Sequence, residues 1–290
     1  MLKMYHQKTH SANTADFWEG NWDSVDFEAA VRACESDPLR PVFDEHVRSE
    51  SRILEGGCGK GHWVEYFTRL GNDIVGLDFA PRTLVELKRR RANLTLCCAN
   101  VEALPFLPRT FDVYYSGGVV EHFEAGCESS LAEARRVLDD DGVLLISVPY
   151  ANPLRRVLTF FGAGEFRPVA RAEADRSEYR PGLTYFQYAY GTNEFGAMLR
   201  KAGFRIAAIH RYSVIWGLYD LKFLRERADR KVARAASSHA PSVAPSTRPS
   251  FIKHLLVGED TSTFLTRTVT RLMRWSAANM MLFVCRKSPT

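Results

Sequence analysis

Residues 51–61 read SRILEGGCGKG, a short apolar stretch that runs into a glycine-rich loop. Gly57, Gly59 and Gly61 stand two positions apart in it. Without a Cβ, glycine lets the backbone turn sharply after a strand and brings main-chain amides close to a polar ligand. The stretch therefore predicts a strand followed by a nucleotide-cofactor loop, with an ordinary strand-to-helix turn as the alternative.

The spacing of these glycines separates one class of cofactor from another. A dinucleotide-binding fold uses GxGxxG, which this chain lacks, so a nicotinamide-dependent oxidoreductase is not expected. Here the acidic residue Glu55 precedes the glycines, and an apolar run ends at Asp78, seventeen residues after Gly61. One carboxylate with two acceptor oxygens suits the two hydroxyls of a ribose, which makes Asp78 a candidate for that contact.

Three further motifs follow the loop in order. Residues 99–106 read ANVEALPF, residues 111–123 read FDVYYSGGVVEHF, and residues 134–149 read ARRVLDDDGVLLISVP. Together with the loop, they resemble the motifs of the class I S-adenosylmethionine-dependent methyltransferases, although the family usually has Asp where this chain has Asn100. The resemblance covers roughly residues 50–212 and favours the small-molecule subgroup that includes quinone-biosynthesis and glycan-cluster enzymes. Four motifs in order are specific, whereas a glycine loop alone is not.

The resemblance implies S-adenosylmethionine as the cofactor and S-adenosylhomocysteine as the product. Glu55 and the glycines would bind the methionine part, Asp78 the ribose, and Asn100 with Val101 the adenine edge. An amide oxygen at Asn100 can still accept a hydrogen bond from the adenine amino group. The residues expected around the cofactor are Glu55, Gly57, Gly59, Gly61, Asp78, Phe79, Asn100, Val101, Gly117 and His122.

Candidates for the chemical step are fewer. A neutral imidazole at His122 can take a proton from a substrate hydroxyl, and the alternative is that it orders its loop or packs on the cofactor. Tyr185 and Tyr188, in an aromatic run, can form a substrate wall, or the run can pack on its own core. Because no His, Cys, Asp or Glu cluster has metal-ligand spacing, no metal is expected.

Composition limits the class of protein. With 290 residues and 46% hydrophobic content, the chain can build a large core, and its six cysteines form no CxxC pair, which favours reduced thiols. The first residues lack the apolar core of a signal peptide, and no run approaches the ~20 apolar residues of a membrane span. These features predict a cytoplasmic protein, with contact at a membrane surface left open.

Alternating apolar strands and helical patterns predict an α/β fold with a doubly wound, mostly parallel, seven-stranded sheet. The predicted division is an N-terminal helical cap (1–49), a cofactor-binding core (50–149), a substrate lid (150–190), the core continued (191–212), a basic helical insertion (213–278) with a flexible linker (237–250), and a last strand and tail (279–290).

The net charge of +5 is concentrated in the insertion, since residues 213–275 hold eleven Lys and Arg against five Asp and Glu. Its amphipathic basic stretches can lie on an anionic membrane, associate with a second copy, or pack on the domain.

The expected activity is methyl transfer to an oxygen, or as second choice a nitrogen, of a small molecule such as a natural product, a glycan or a lipid-linked intermediate. No nucleic-acid partner is expected, because basic residues and aromatic residues are not interleaved around the core. The alternative from a different class is a non-catalytic protein that keeps the cofactor fold and serves as a peripheral membrane or partner-binding module.

Overall fold

A computed structural model of the chain describes residues 1–6, 14–22, 26–170, 183–227, 230 and 264–289. The strands are β1 (Leu2–His6), β2 (Arg52–Gly56), β3 (Asp73–Asp78), β4 (Thr95–Cys98), β5 (Phe111–Gly117), β6 (Leu138–Pro149), β7 (Arg167–Pro168), β8 (Thr184–Ala189), β9 (Phe204–Tyr212) and β10 (Met280–Lys287). The helices are α1 (Ala15–Trp22), α2 (Phe27–Ala33), α3 (Arg40–His46), α4 (His62–Arg69), α5 (Pro81–Arg90), α6 (Glu128–Val137), α7 (Pro153–Phe160), α8 (Thr192–Lys201), α9 (Val214–Leu218) and α10 (Phe264–Ala277).

The main sheet has seven strands in the order β4-β3-β2-β5-β6-β10-β9. The first five strands run parallel, and β10 pairs antiparallel with both β6 and β9. Parallel strands need a long connection, because the chain must return to the end of the sheet where each strand begins. Most of the connections between β2 and β6 contain a helix. The predicted fold, a doubly wound and mostly parallel seven-stranded sheet, is confirmed.

Both faces of the sheet are buried. Ile53 and Leu54 are neighbours on β2, yet they belong to separate hydrophobic clusters, because successive side chains of a strand point to opposite faces. Helices α2 to α5 cover the face of Ile53, and α6 and α8 cover the face of Leu54. This arrangement fixes the carboxyl ends of the parallel strands at one edge, where polar side chains can meet.

The structure adds strands to the first and third predicted segments. The helical cap 1–49 contains three helices, but it begins with the strand β1, which is the middle strand of a small antiparallel sheet in the order β7-β1-β8. The partners of β1 lie more than 160 residues further along the chain, so no local signal identified the strand. β7 and β8 come from the segment predicted as a lid, 150–190; the domain boundaries themselves stay a prediction.

The insertion is helical where it is described. Its parts are α9, a short helical segment at 222–227, and α10. The predicted linker 237–250 lies outside the described residues. None of the helices within the described ranges combines the length and the apolar content needed to cross a bilayer.

Candidate active site

A cavity of about 300 Å³ lies at the carboxyl edge of the main sheet. It is lined by residues at the ends of β2, β3 and β5, and by the loop that follows β4. Between β2 and β5 the strand order reverses direction, which is the place where open α/β sheets bind ligands. Of the ten predicted cofactor residues, eight line this cavity: Glu55, Gly57, Asp78, Phe79, Asn100, Val101, Gly117 and His122.

The glycine loop needs its glycines for different reasons. Gly57 has a φ of +78°, and a Cβ there would overlap Val119, so the loop can pass close to the cavity only without a side chain. Gly59 lies outside the lining and donates its amide N–H to Asp78 Oδ2 at 2.8 Å. Gly61 also lies outside the lining; it precedes α4 in a left-handed conformation with φ +66°, and a Cβ would meet Leu87. Gly59 and Gly61 thus shape the loop rather than line the cavity, which corrects their predicted place.

Backbone amides from two loops hold Asp78, one loop after β2 and the other after β3. Besides the amide of Gly59, the amide of Ala80 donates to Asp78 Oδ1 at 2.9 Å. Burial raises the pKa of Asp78, and these amide hydrogen bonds partly oppose that rise. Each carboxylate oxygen keeps a second lone pair, so Asp78 is fixed in orientation and can still accept from a diol.

Glu55 is buried differently. Its Oε2 atom has no hydrogen-bond partner among the described residues, although the residue lines the cavity and is only 4% exposed. Burial and the neighbouring charge of Asp78 raise its pKa well above the ordinary range. A buried carboxylate oxygen without a partner is costly, so this atom is an acceptor that a cationic donor in the cavity would satisfy.

At the end of the cavity near β4, Asn100 is already engaged. Its Oδ1 accepts from the backbone amide of Glu102 at 3.0 Å, and its Nδ2 donates to Glu102 Oε2 at 3.2 Å. One lone pair of Oδ1 remains for a ligand. Phe79 and Val101 line the same end and offer apolar surface to a flat ring.

His122 lies at the opposite end, in a short 3₁₀ turn after β5. Its Nδ1 lies 2.7 Å from the carbonyl oxygen of Phe186. Because a carbonyl only accepts, Nδ1 carries the proton and Nε2 is left as an acceptor. Burial lowers the pKa of His122 to about 4, so the ring is neutral near pH 7. The geometry gives a neutral imidazole beside the cavity, with Nε2 as an acceptor 4.0 Å from Glu121 Oε1.

The strand β8 holds the segment that carries His122. Tyr185 donates its hydroxyl to the carbonyl of Glu121 at 2.5 Å, and Tyr188 donates to the carbonyl of Glu124 at 3.1 Å. Lys3 of β1, itself buried, forms an ion pair with Glu124 at 2.9 Å. Together with the bond from His122 to Phe186, these contacts tie residues 121–124 to the small sheet.

Tyr185 and Tyr188 therefore do not form a substrate wall. They are 1% and 7% exposed, belong to the main hydrophobic cluster, and do not line the cavity. The sequence-based hypothesis is corrected: a run of aromatic residues in a half-buried strand packs on the core, and its hydroxyls reach backbone carbonyls.

Sequence reasoning missed several residues of the lining. Trp18 on α1 contacts His122 edge-on, with ring centroids 4.8 Å apart, and His6, Phe17 and Phe186 complete an aromatic cluster around them. Cavity residues that the sequence reasoning did not assign to the site are Trp18, Cys58, His62, Trp63, Leu77, Ala99, Glu102, Tyr115 and Phe123. The position of His62 and Trp63 directly after the glycine loop was a usable signal, and so were the aromatic residues at the start of the predicted cap, Trp18 among them.

Among the described residues no group of three or more His, Cys, Asp and Glu side chains is placed to hold a metal ion. The mostly parallel sheet, the glycine loop after its central strand and the acidic residues at two adjacent strand ends define a Rossmann-like domain for a nucleotide cofactor.

Comparison with known proteins narrows this class. Residues 54–146 match the family model described as "Methyltransferase domain". The chain is 34% identical over 116 residues to the ubiquinone biosynthesis O-methyltransferase of Cereibacter sphaeroides, which is 39% of this chain and 47% of that protein. It is 30% identical over 108 residues to the malonyl-[acyl-carrier protein] O-methyltransferase of Hamiltonella defensa, which is 37% of this chain and 42% of that protein. The chain spans about half the length of the curated relatives it matches.

A solved structure supports the fold over most of the chain. It is the crystal structure of the Burkholderia thailandensis 1,6-didemethyltoxoflavin-N1-methyltransferase with bound 1,6-didemethyltoxoflavin and S-adenosylhomocysteine. The TM-score is 0.52 at 16% identity, with 95% of this chain and 87% of that chain covered.

Residues 54–146 are thus a methyltransferase domain, and they resemble the class I S-adenosylmethionine-dependent enzymes. The cofactor of the domain is S-adenosylmethionine, and the cavity fits that molecule on structural grounds. The orphaned Glu55 Oε2 can accept from an amine, and Asp78 can accept from a ribose diol.

Proposed function

We propose that this chain is an S-adenosylmethionine-dependent methyltransferase that transfers a methyl group to an oxygen of a small molecule, with nitrogen as the second choice of acceptor atom. The observation that carries the proposal is the pairing, in one cavity, of an unpartnered buried carboxylate oxygen on Glu55 with a neutral acceptor nitrogen on His122. One end can bind a cation, and the other can take a proton.

The residues of the cavity divide the work. When bound, S-adenosylmethionine supplies a methyl group that is already activated as a sulfonium. Glu55 and Asp78 would hold the cofactor at two points, which fixes its orientation relative to the acceptor; orientation of this kind can supply about 7–11 kcal/mol of rate acceleration. Trp18 and Phe123 would exclude water from the cavity wall beside His122.

His122 would act on the acceptor. A hydroxyl must lose its proton as its oxygen gains the methyl group, and Nε2 of a neutral His122 can accept that proton. A pKa near 4 makes the ring a weak base, so the proton would move only as the oxygen acquires positive charge during transfer. This favours a hydroxyl acceptor, for which a base is useful at the moment of transfer.

The chemical class of acceptor is a natural product, a glycan or a lipid-linked intermediate, held beside His122. Both curated relatives above are O-methyltransferases by name, which supports oxygen as the acceptor atom. The rival hypothesis of a non-catalytic cofactor-fold protein gains no support from the site, where the acceptor groups for the cofactor are intact.

Two measurements test the proposal. In calorimetric titration with S-adenosylmethionine, Asp78→Ala is expected to weaken binding by about two orders of magnitude, because it removes two hydrogen bonds to a charged group. Asp73→Ala, at the exposed start of the same strand, is the matched control and should bind like the wild type. Undiminished binding by Asp78→Ala would remove Asp78 from the ribose site.

The second measurement identifies the acceptor. The protein is incubated with isotopically labelled S-adenosylmethionine and a metabolite extract, and mass spectrometry looks for labelled products heavier by one methylene. Transfer that disappears in His122→Gln, while cofactor binding persists, supports the proposal. Cofactor binding with no labelled product from any extract, including extracts enriched in lipids, would favour the non-catalytic alternative.

A further inference from the structure

The helices near β6, β9 and β10 carry a concentrated group of exposed apolar side chains. In the described residues, nine large apolar side chains are more than half exposed, and seven of them lie on α7, α9, α10 and the segments that adjoin them. We call these seven the aromatic face: Val157, Phe160, Phe161, Trp216, Phe223, Leu272 and Trp275. The remaining two, Leu70 and Leu107, lie singly on other elements, and single exposed residues need no explanation.

The elements of the aromatic face are joined rigidly. α7 and α9 both pack against α10. Gly217 of α9 approaches the backbone of α10 so closely that a Cβ would overlap the carbonyl of Ala277. The buried Arg155 of α7 binds Asp220, after α9, with an N–O distance of 2.7 Å. The elements that carry the aromatic face are therefore parts of one packed unit.

Cations surround the apolar side chains. Residues 153–165, 214–227 and 267–277 together hold eight Lys and Arg against three Asp and Glu. One of those acids, Asp220, is neutralised by the buried Arg155, and another, Glu165, is paired with Arg225. On α10, Arg271 is exposed beside Leu272. The surface thus combines protruding aromatic rings with a net positive charge.

We propose that the aromatic face docks on the surface of an anionic phospholipid bilayer. Tryptophan and phenylalanine side chains insert at the boundary between headgroups and acyl chains, and arginine and lysine side chains are attracted to anionic headgroups. A second copy of this chain is a poorer occupant, because two faces of the same positive charge would repel each other.

The aromatic face lies at the same edge of the main sheet as the cavity. α7 follows the end of β6, α9 follows the end of β9, and α10 leads into the start of β10. Because β10 is antiparallel to its neighbours, all three points lie at the carboxyl edge of the sheet, where the cavity also lies. A bilayer on this face borders the edge that carries the cavity.

The test is flotation of the full chain with vesicles of phosphatidylcholine, with and without phosphatidylglycerol. The wild type is expected to float with the mixed vesicles and to remain in solution with phosphatidylcholine alone. The double variants Phe160→Ser with Phe161→Ser, and Arg227→Glu with Arg271→Glu, should each lower the partition coefficient at least about tenfold, given about 1 kcal/mol per basic residue near an anionic surface.

Matched controls are Leu107→Ser for the apolar change and Arg89→Glu for the charge change, both on exposed residues away from the face. Both controls should float like the wild type. Titration with S-adenosylmethionine checks that all variants are folded, since none of these residues lines the cavity.

Three outcomes would overturn the proposal: a wild type that stays in solution with the mixed vesicles, double variants that float undiminished, or a lipid-free dimer in sedimentation that Phe160→Ser with Phe161→Ser dissociates. The last result would assign the face to a second copy. Because cofactor binding and methyl transfer are measured without vesicles, failure here leaves the proposed enzymatic function untouched.

Discussion

The two ends of the cavity are built in opposite ways. The end that holds Glu55, Gly57 and Asp78 comes from two adjacent strands and the loop between them, within 24 residues of sequence. The end around His122 is assembled from β1, α1, the turn after β5, and β8, which are far apart in the chain. One end follows from local chain geometry, and the other depends on the small sheet that brings distant segments together. Substitutions should therefore affect cofactor binding at the first end and turnover at the second.

The largest difference between the two ends is expected from substitution of His122 and of His62. His122→Gln should lower kcat by about 10²–10⁴-fold, the range for loss of a general base, with little change in the Kd for S-adenosylmethionine. His62→Gln lies just after the glycine loop and should raise that Kd instead. Steady-state kinetics and calorimetry on both variants decide it; an effect of His122→Gln on Kd alone would place this residue on the cofactor end.

The low pKa of His122 predicts how kcat depends on pH. The imidazole accepts a proton only while neutral, and burial lowers its pKa to about 4. The wild-type kcat should therefore lose no activity through this group above about pH 5, and should fall as the pH approaches 4. A fall centred at the ordinary histidine pKa, and absent in His122→Gln, would contradict the buried geometry.

A second, smaller effect concerns stability at the His122 end. Burial raises the pKa of Glu121 from 4.5 to about 8, so the folded protein binds a proton there that the unfolded chain releases. Stability is then fully present below pH 4.5 and is lost as the pH rises toward 8, with a slope of at most about 1.4 kcal/mol per pH unit. Glu121→Gln should flatten this slope in urea unfolding between pH 5 and 8.

The control for this measurement is Glu128→Gln, an exposed carboxylate at the start of α6. Its unfolding in urea is measured over the same pH range, as the comparison for removal of an exposed carboxylate. Equal slopes for the wild type and Glu121→Gln would show that Glu121 is ionised in the folded protein.

Two glycines, Gly57 in the cofactor loop and Gly71 between α4 and β3, distinguish the cost of backbone strain from that of steric overlap. Gly57 and Gly71 both have positive φ, but a Cβ at Gly57 would overlap Val119, whereas Gly71 has nothing within 4 Å. Gly71→Ala should lower the free energy of unfolding by about 1 kcal/mol, and Gly57→Ala by about 3 kcal/mol, with loss of cofactor binding only in the latter. Identical unfolding midpoints in urea would mean that Val119 moves aside without cost.

A modest effect on stability is expected at Tyr185. Tyr185→Phe removes the hydrogen bond to the carbonyl of Glu121 and should cost about 1–2 kcal/mol of stability, while the KM for the acceptor stays unchanged. Tyr66→Phe, in α4 on the other face of the sheet, is a buried comparison. A rise in KM specific to Tyr185→Phe would mean that Tyr185 contacts the acceptor, as the substrate-wall hypothesis requires.

The sequence predicted the fold well because the strands and helices of the main sheet follow local patterns. The apolar runs located β2 and β3, and the four motifs that resemble the methyltransferase family named eight residues that line the cavity, whose contacts with a cofactor stay a prediction. It failed at β1, whose partners lie far along the chain, and at Tyr185, since an aromatic strand looks the same whether it faces a ligand or the core. Asn100 shows a finer limit: sequence identifies an acceptor oxygen, but not that the amide of Glu102 already uses it.

The pairing of β1 with β7 and β8 also sets an order of events during synthesis. The strands that form the cofactor end are complete once residue 117 has left the ribosome, whereas β1 must wait for residues 167–189 before it gains either neighbour. The glycine loop is thus synthesised before the segment that ties Phe186 to His122. An early-bound cofactor would meet an open vestibule, and the aromatic cover would close over it last.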